Sequence, residues 1–267
     1  MIFVTDLDKT FLRSDLSISE FSRKVWNEFK YPVTVATARS YKGSKILLEG
    51  VELKYPLILL DGAMIASADG GIMKITAIDK AVGDEIIKQV YEHFDDYPLI
   101  VGFDVPGDEK FLYPKKLNPY QAHLLRNYQN DSRVLNIEKF RALKHNLKMV
   151  YLGEENFLKQ IENFLRKNFN VETKLTEDAY GPYWFLTVLH PEADKAHGLK
   201  HLEEIMGIDK KNVTVFGDNI NDLGMFEWAG TSIAVKNALE IVKQKADIVL
   251  PHTNDEDAVA KYLKEIV

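Results

Sequence analysis

The chain contains no cysteine, which excludes disulfides, thiolate metal sites and a cysteine nucleophile. It has no apolar run long enough to cross a bilayer: the longest, around Leu57 to Ala68, is interrupted by Asp61. No basic segment precedes such a run near Met1, so no signal peptide and no membrane partner are expected. The expected compartment is the cytoplasm, and the sequons at Asn130 and Asn212 then carry no meaning. Positive charge is also short, with 34 Lys and Arg against 40 Asp and Glu, for a net charge of -6. A nucleic-acid partner is not expected, because neutralising phosphates along a duplex takes a basic face. Internal repeats and low-complexity tracts are absent as well.

What remains is a chain of 267 residues, 46% hydrophobic and 28% charged, a composition suited to a soluble globular protein with a sizeable core. Its organising stretch is Ile2-Phe3-Val4-Thr5-Asp6-Leu7-Asp8-Lys9-Thr10. The β-branched apolar run predicts a buried parallel strand, and it ends in two aspartates spaced i, i+2. Ligands of open α/β sheets bind just beyond the carboxyl ends of the strands. Two carboxylates there repel each other unless a cation or a shared proton offsets them.

The first third of the chain alternates strand and helix. Ser17 to Glu20 reads as a capping box opening a helix with Phe21, Val25, Trp26 and Phe29 at helical spacing. Pro32 to Ala36 and Leu57 to Leu60 predict two more strands, ending in Thr37-Ala38-Arg39 and Asp61-Gly62-Ala63. Asp69-Gly70-Gly71 then predicts a hairpin turn. Residues 81–189, rich in proline and aromatics, read as an inserted α+β domain large enough for its own core. The first style returns with a helix over Lys195 to Met206 and a strand over Val213 to Phe216, which ends in Gly217-Asp218-Asn219-Ile220-Asn221-Asp222. The expected fold is α/β: a doubly wound parallel sheet of Rossmann-like type, residues 1–80 and 190–267, interrupted by the insert.

Polar groups at these strand ends fall on one edge of such a sheet. An oxygen-rich carboxylate cluster without His or Cys suits Mg²⁺, which keeps waters and takes carboxylates plus a phosphate oxygen. A carboxylate left off the metal could attack phosphorus. Thr37 and Lys195 would donate to phosphoryl oxygens, and phosphoryl transfer needs little beyond such positioning and charge stabilisation.

Asp6-Leu7-Asp8-Lys9-Thr10, Thr37, Lys195 and Gly217 to Asp222 together resemble the four ordered motifs of the haloacid dehalogenase superfamily of phosphatases. The position of the insert resembles the Cof-type sugar-phosphatase branch with its type IIB cap. The resemblance implies a nucleophile at Asp6, forming an aspartyl-phosphate, and a leaving-group acid, then water-activating base, at Asp8. It implies Mg²⁺ held by Asp6, the Asp8 carbonyl and Asp218, with Asp222 assisting from behind. Thr37 and Lys195 would bind the phosphoryl group, and Arg39 and Asn221 would contact substrate. The implied substrate is a small phosphate ester, most of all a sugar phosphate, with a mobile cap closing over the core.

Lys9, Ala38 and Asp61 depart from the family's usual Gly, Gly and Asn. None removes a catalytic group, and Asp61 adds a carboxylate near the site. Rival readings are a phosphosugar mutase, a specialised phosphatase of the mannosyl-3-phosphoglycerate or sucrose-phosphate type, and a phosphorylatable module without turnover. His197 and His201 have metal-ligand spacing on one helix, but no third ligand accompanies them. Tyr180, Tyr183, Trp184 and Phe185 suit a sugar pocket or a core, with core favoured for at least half of them. Lys115 and Lys116 are expected in a solvated loop. Asp255-Glu256-Asp257 reads as a helix N-terminus, where negative charge is favourable.

Overall fold

Ile2 to Val4 are almost fully buried, as a strand covered on both faces requires. A computed structural model describes residues 1–178, 181 and 183–266. Its contacts divide the chain into two units: Met1–Lys74 with the chain from Asp194 onward, and Ile75–Ala193 between them.

The first unit opens with β1 (Ile2–Thr5), α1 (Glu20–Glu28), β2 (Val33–Val35), α2 (Tyr41–Leu47), β3 (Leu57–Leu59), β4 (Met64–Ala66) and β5 (Ile72–Ile75). The cap of α1 differs from the sequence reading. Ser19, not Ser17, is the N-cap and accepts the Ser22 N–H, while the Ser17 N–H is taken by Asp15. β3 lies in a three-stranded sheet with β4 and β5 and meets the end of β2 at a parallel bridge between Ala36 and Ile58. The turn over Asp69 to Gly71 is present, with the Ser67 N–H donating to the Gly71 carbonyl.

The second unit holds β6 (Ile78–Asp79), α3 (Lys80–Phe94), β7 (Leu99–Phe103), β8 (Lys110–Pro114), α4 (Pro119–Leu125), β9 (Val134–Ile137), β10 (His145–Gly153), α5 (Glu155–Asn168), β11 (Glu172–Glu177) and β12 (Trp184–Leu189). Its sheet runs β11-β12-β10-β7-β8-β9, with β6 paired to β10. Ile86 and Val90 of α3 and Leu158, Ile161 and Leu165 of α5 recur at helical spacing and meet Ile100, Met149, Tyr151 and Val188 of the sheet in one core. The unit therefore begins earlier than residue 81. β6 is a strand of its sheet, with Ile78 opposite Asn146 and Asp79 opposite His145, and the Asn146 amide also donates to the Ile78 carbonyl. At its other end the unit runs on through Ala193, whose N–H is bound by the His190 carbonyl.

The first unit resumes with α6 (Lys195–Met206), β13 (Val213–Gly217), α7 (Leu223–Trp228), β14 (Thr231–Ala234), α8 (Glu240–Lys245), β15 (Ile248–Val249) and α9 (Ala258–Ile266). The central sheet is β15-β14-β13-β1-β2, parallel throughout. The acidic run ahead of α9 ties the chain's end to its beginning: Asp257 takes the Arg13 guanidinium and the Ser22 hydroxyl, and Asp255 takes Ser14. No helix among the described residues is long and apolar enough to cross a membrane.

Candidate active site

β1 pairs with β13 in the register Thr5 opposite Phe216, so the two chains leave the sheet side by side and carry Asp6 and Asp218 out together. The Asp6 N–H still donates to the Phe216 carbonyl, at 3.0 Å. Carboxylate oxygens of Asp6, Asp218 and Asp222 lie within 4.8 Å of one another, all three residues buried. Lys195, the first residue of α6 and fully buried, reaches into this group. Its Nζ donates to Asp6 Oδ1 and Asp222 Oδ1, each at 2.7 Å.

Asp222 is fully committed: Oδ1 takes Lys195, while Oδ2 accepts the N–H groups of Asp218 and Asn219 at 2.9 and 3.1 Å. It closes the turn after β13 and sets Lys195 in place. Gly217 permits this close approach, since a Cβ there would come 2.5 Å from Asp222 Oδ2. Asp218 Oδ1 accepts the Thr10 hydroxyl at 2.8 Å, a bond between the first and last motifs.

Three buried carboxylates face one ammonium, so at least two positive charges are wanting. The titration behaviour reflects that deficit. Burial, with Asp222 and Asp218 adding to it, pushes Asp6 well above the usual carboxylate range despite the pull of Lys195. Burial and then Asp222 push Asp218 up to about 6. Burial works against the charged form of Lys195, but Asp222, Asp6 and Asp61 outweigh it and raise its pKa. An all-oxygen donor set with this deficit fits a hard divalent cation.

Asp8 stands apart from this cluster. The chain turns through Lys9, whose φ of 56° is a left-handed conformation that glycine adopts most readily. The Asn237 amide holds the Lys9 carbonyl at 2.7 Å, a support that no local sequence signal announces. The Asp8 carboxylate is gripped by Arg39, Nε to Oδ2 at 2.7 Å and Nη2 to Oδ1 at 2.5 Å.

Thr37 is fully buried at the end of β2, and its hydroxyl accepts the Arg39 N–H at 3.2 Å. Its carbonyl accepts the Asp61 N–H, and the Arg39 carbonyl accepts that of Leu60. These bonds lock the ends of β2 and β3 together. Asp61 is buried with φ 58°, a conformation that Asn and Asp tolerate better than other L residues, and its Oδ1 lies 3.4 Å from the Asn221 amide nitrogen. Gly62, at φ 94°, brings this loop against the start of α6, where a Cβ would overlap the Asp194 carbonyl.

The remaining candidates take structural positions. His197 Nδ1 is bound to Asp194 at 2.7 Å, and among the described residues the metal-capable carboxylate and histidine groups reduce to Asp6, Asp218 and Asp222. Tyr183 is buried and Phe185 packs against it, while Trp184 packs on the larger core; Tyr180 lies outside the described residues. Lys115 is exposed, and Lys116 pairs with Asp95.

The family model for haloacid dehalogenase-like hydrolases matches residues 3–263. A 5-amino-6-(5-phospho-D-ribitylamino)uracil phosphatase of Bacillus subtilis is 26% identical, over 99% of this chain and 96% of its own. A second B. subtilis phosphatase of that name is 28% identical, over 98% and 96%. A crystal structure from Thermotoga maritima, 27% identical, covers 100% of this chain and 97% of its own with a TM-score of 0.79. A haloacid dehalogenase-like hydrolase from Bacteroides thetaiotaomicron, 25% identical, covers 100% and 99% with a TM-score of 0.78.

Proposed function

The chain belongs to the haloacid dehalogenase-like hydrolases as a phosphatase of that family, and from that premise we propose that it hydrolyses small phosphomonoesters through an aspartyl-phosphate, with Mg²⁺ as cofactor. The observation that carries this reading is the buried Asp6 carboxylate at the end of β1, held by Lys195 beside Asp218.

In this reading an Asp6 oxygen attacks phosphorus, the bond from phosphorus to the ester oxygen breaks, and Asp8 protonates the departing alkoxide. Water then attacks the aspartyl-phosphate. Asp8 takes the proton, inorganic phosphate leaves and Asp6 is restored. Lys195 and the Thr37 hydroxyl donate to the phosphoryl oxygens, where charge builds in the transition state. Asp6, the Asp8 carbonyl and Asp218 would hold the metal, with Asp222 supporting them and Lys195. A bound Mg²⁺ would supply the missing positive charge and relieve repulsion between these carboxylates and an anionic ester.

The two B. subtilis relatives are named for a phosphorylated ribitylamine, so phosphate esters of sugars and sugar alcohols are the first substrates to test. Asn221, whose amide lies beside Asp61, is assigned a contact with the substrate. The test is release of inorganic phosphate across a panel of such esters, with Mg²⁺ and with chelator. Magnesium-dependent turnover of one or more esters is expected. Isomerised phosphosugar without free phosphate would make the protein a mutase, and a single stable phosphorylation without turnover would make it a signalling module.

A further inference from the structure

The geometry points to a role for Arg39 other than holding the phosphate: it is a positioning residue that aims the Asp8 carboxylate at the leaving-group oxygen. This inference rests on the phosphatase reading and goes beyond it by assigning Arg39 to Asp8.

The guanidinium meets Asp8 by two separate nitrogens, each on its own carboxylate oxygen, at 2.7 and 2.5 Å. A two-point clasp fixes the plane of a carboxylate as well as its position, which a lysine ammonium cannot do. Both ends of the clasp are anchored. On one side the Arg39 N–H is bound by the Thr37 hydroxyl and its carbonyl by the Leu60 N–H. On the other, Asp8 precedes a left-handed Lys9 whose carbonyl is held by Asn237, and the turn is closed by the Leu12 N–H on the Leu7 carbonyl. Asp8 is only part-buried, and packing alone would not hold a short side chain there to one direction. Proton transfer to a departing oxygen needs a donor within hydrogen-bond reach and in line, so the clasp performs a task the reaction requires. Thr37 and Lys195 already provide cationic and hydroxyl donors for the phosphoryl group without Arg39.

The two roles separate by leaving group. An alkoxide cannot depart without a proton, whereas p-nitrophenolate departs unassisted. kcat/KM reads through that departure and is blind to later hydrolysis of the aspartyl-phosphate common to both esters. For R39A we expect kcat/KM to fall ~30-fold or more with an alkyl phosphate, up to the ~10²–10⁴-fold that a general acid contributes. With p-nitrophenyl phosphate the fall should stay below ~5-fold, and inhibition by inorganic phosphate should be nearly unchanged. R39K, which keeps charge but loses the second contact, should restore less than half of the alkyl loss on a logarithmic scale. In a D8N background R39A should add nothing to the alkyl-to-aryl ratio, because the two act as a unit. If R39A does not fold, R39K and R39M supply the same comparison. Equal losses for both esters together with weaker phosphate inhibition would overturn the inference in favour of a phosphate ligand and leave the phosphatase reading intact. Absence of phosphate release from either ester by the wild-type protein would instead overturn the phosphatase reading.

Discussion

Lys195 Nζ and Asp6 Oδ1 lie 2.7 Å apart, the lysine side chain fully buried and the aspartate 8% exposed. The nucleophile of the proposed reaction thus has its cation supplied from α6, 189 residues along the chain. Asp6→Asn removes the attacking oxygen but keeps the shape, and should lower phosphate release by ~10³-fold or more. The metal-free variant should be no less stable than wild type, because it removes one of three carboxylates that repel one another. Phosphate assays and thermal melts on the same preparation check both. Near-normal activity in a cleanly prepared variant would remove Asp6 as nucleophile.

Lys195→Ala is expected to act on both rate and stability. Losing one preorganised donor typically costs ~10²-fold or more in turnover, and an effect confined to KM would argue against the role. It also leaves Asp6 and Asp222 buried without their partner, where removing one member of a buried pair costs about 3–5 kcal/mol. Chemical denaturation of metal-free protein would read this, and added Mg²⁺ should recover part of it.

The strand ends and the helix that carry the candidate site were legible because each is local: buried strands ending in carboxylates, and a helix over Lys195 to Met206 that the structure reproduces residue for residue. What was not legible depends on contacts across the chain. Thr10 finds Asp218 and Asn237 finds Lys9 over separations of more than two hundred residues, and no spacing rule connects them. Asp8 reads from its motif as one more member of the acidic group, yet its carboxylate belongs to Arg39. β8, β9 and β11 escaped for another reason. They are partly exposed and without clean alternation, and β8 ends in a proline, a residue that argues against a strand. Ser17 and Ser19 both suit a cap, and only the bond from Ser22 decides between them.

Metal binding should depend on pH in a fixed direction. The Asp218 carboxyl, pushed up to about 6 by burial and Asp222, must lose its proton to ligate a cation, so protons compete with metal below that value. A cation at a hundred times its dissociation constant stabilises the folded state by about 2.7 kcal/mol. Thermal melts with and without Mg²⁺ should therefore differ clearly at pH 7.5 and by much less at pH 5. An equal shift at both pH values, or none at either, would contradict a metal held by Asp218. Chelator should abolish turnover, and readdition of Mg²⁺ should restore it.

The second unit carries its own pH signature at Asp96, 7% exposed between α3 and β7. Burial pushes it up to about 6, with Asp95 adding slightly while the Tyr97 N–H, the Asn118 amide and Lys116 pull down. The folded-state value thus exceeds the unfolded one of about 3.9. Between these values the folded chain keeps a proton that the unfolded chain releases, so the contribution present below pH ~4 is lost as pH rises through ~6. Asp96→Asn cannot ionise and escapes the loss. It should match wild type within ~0.5 kcal/mol at pH 4 and exceed it by about 1–3 kcal/mol at pH 7.5. Melts of both proteins across that range decide the matter: a difference that does not widen with pH would mean that the Asp96 carboxylate is stabilised by Asn118 and the Tyr97 N–H as well as it is by water.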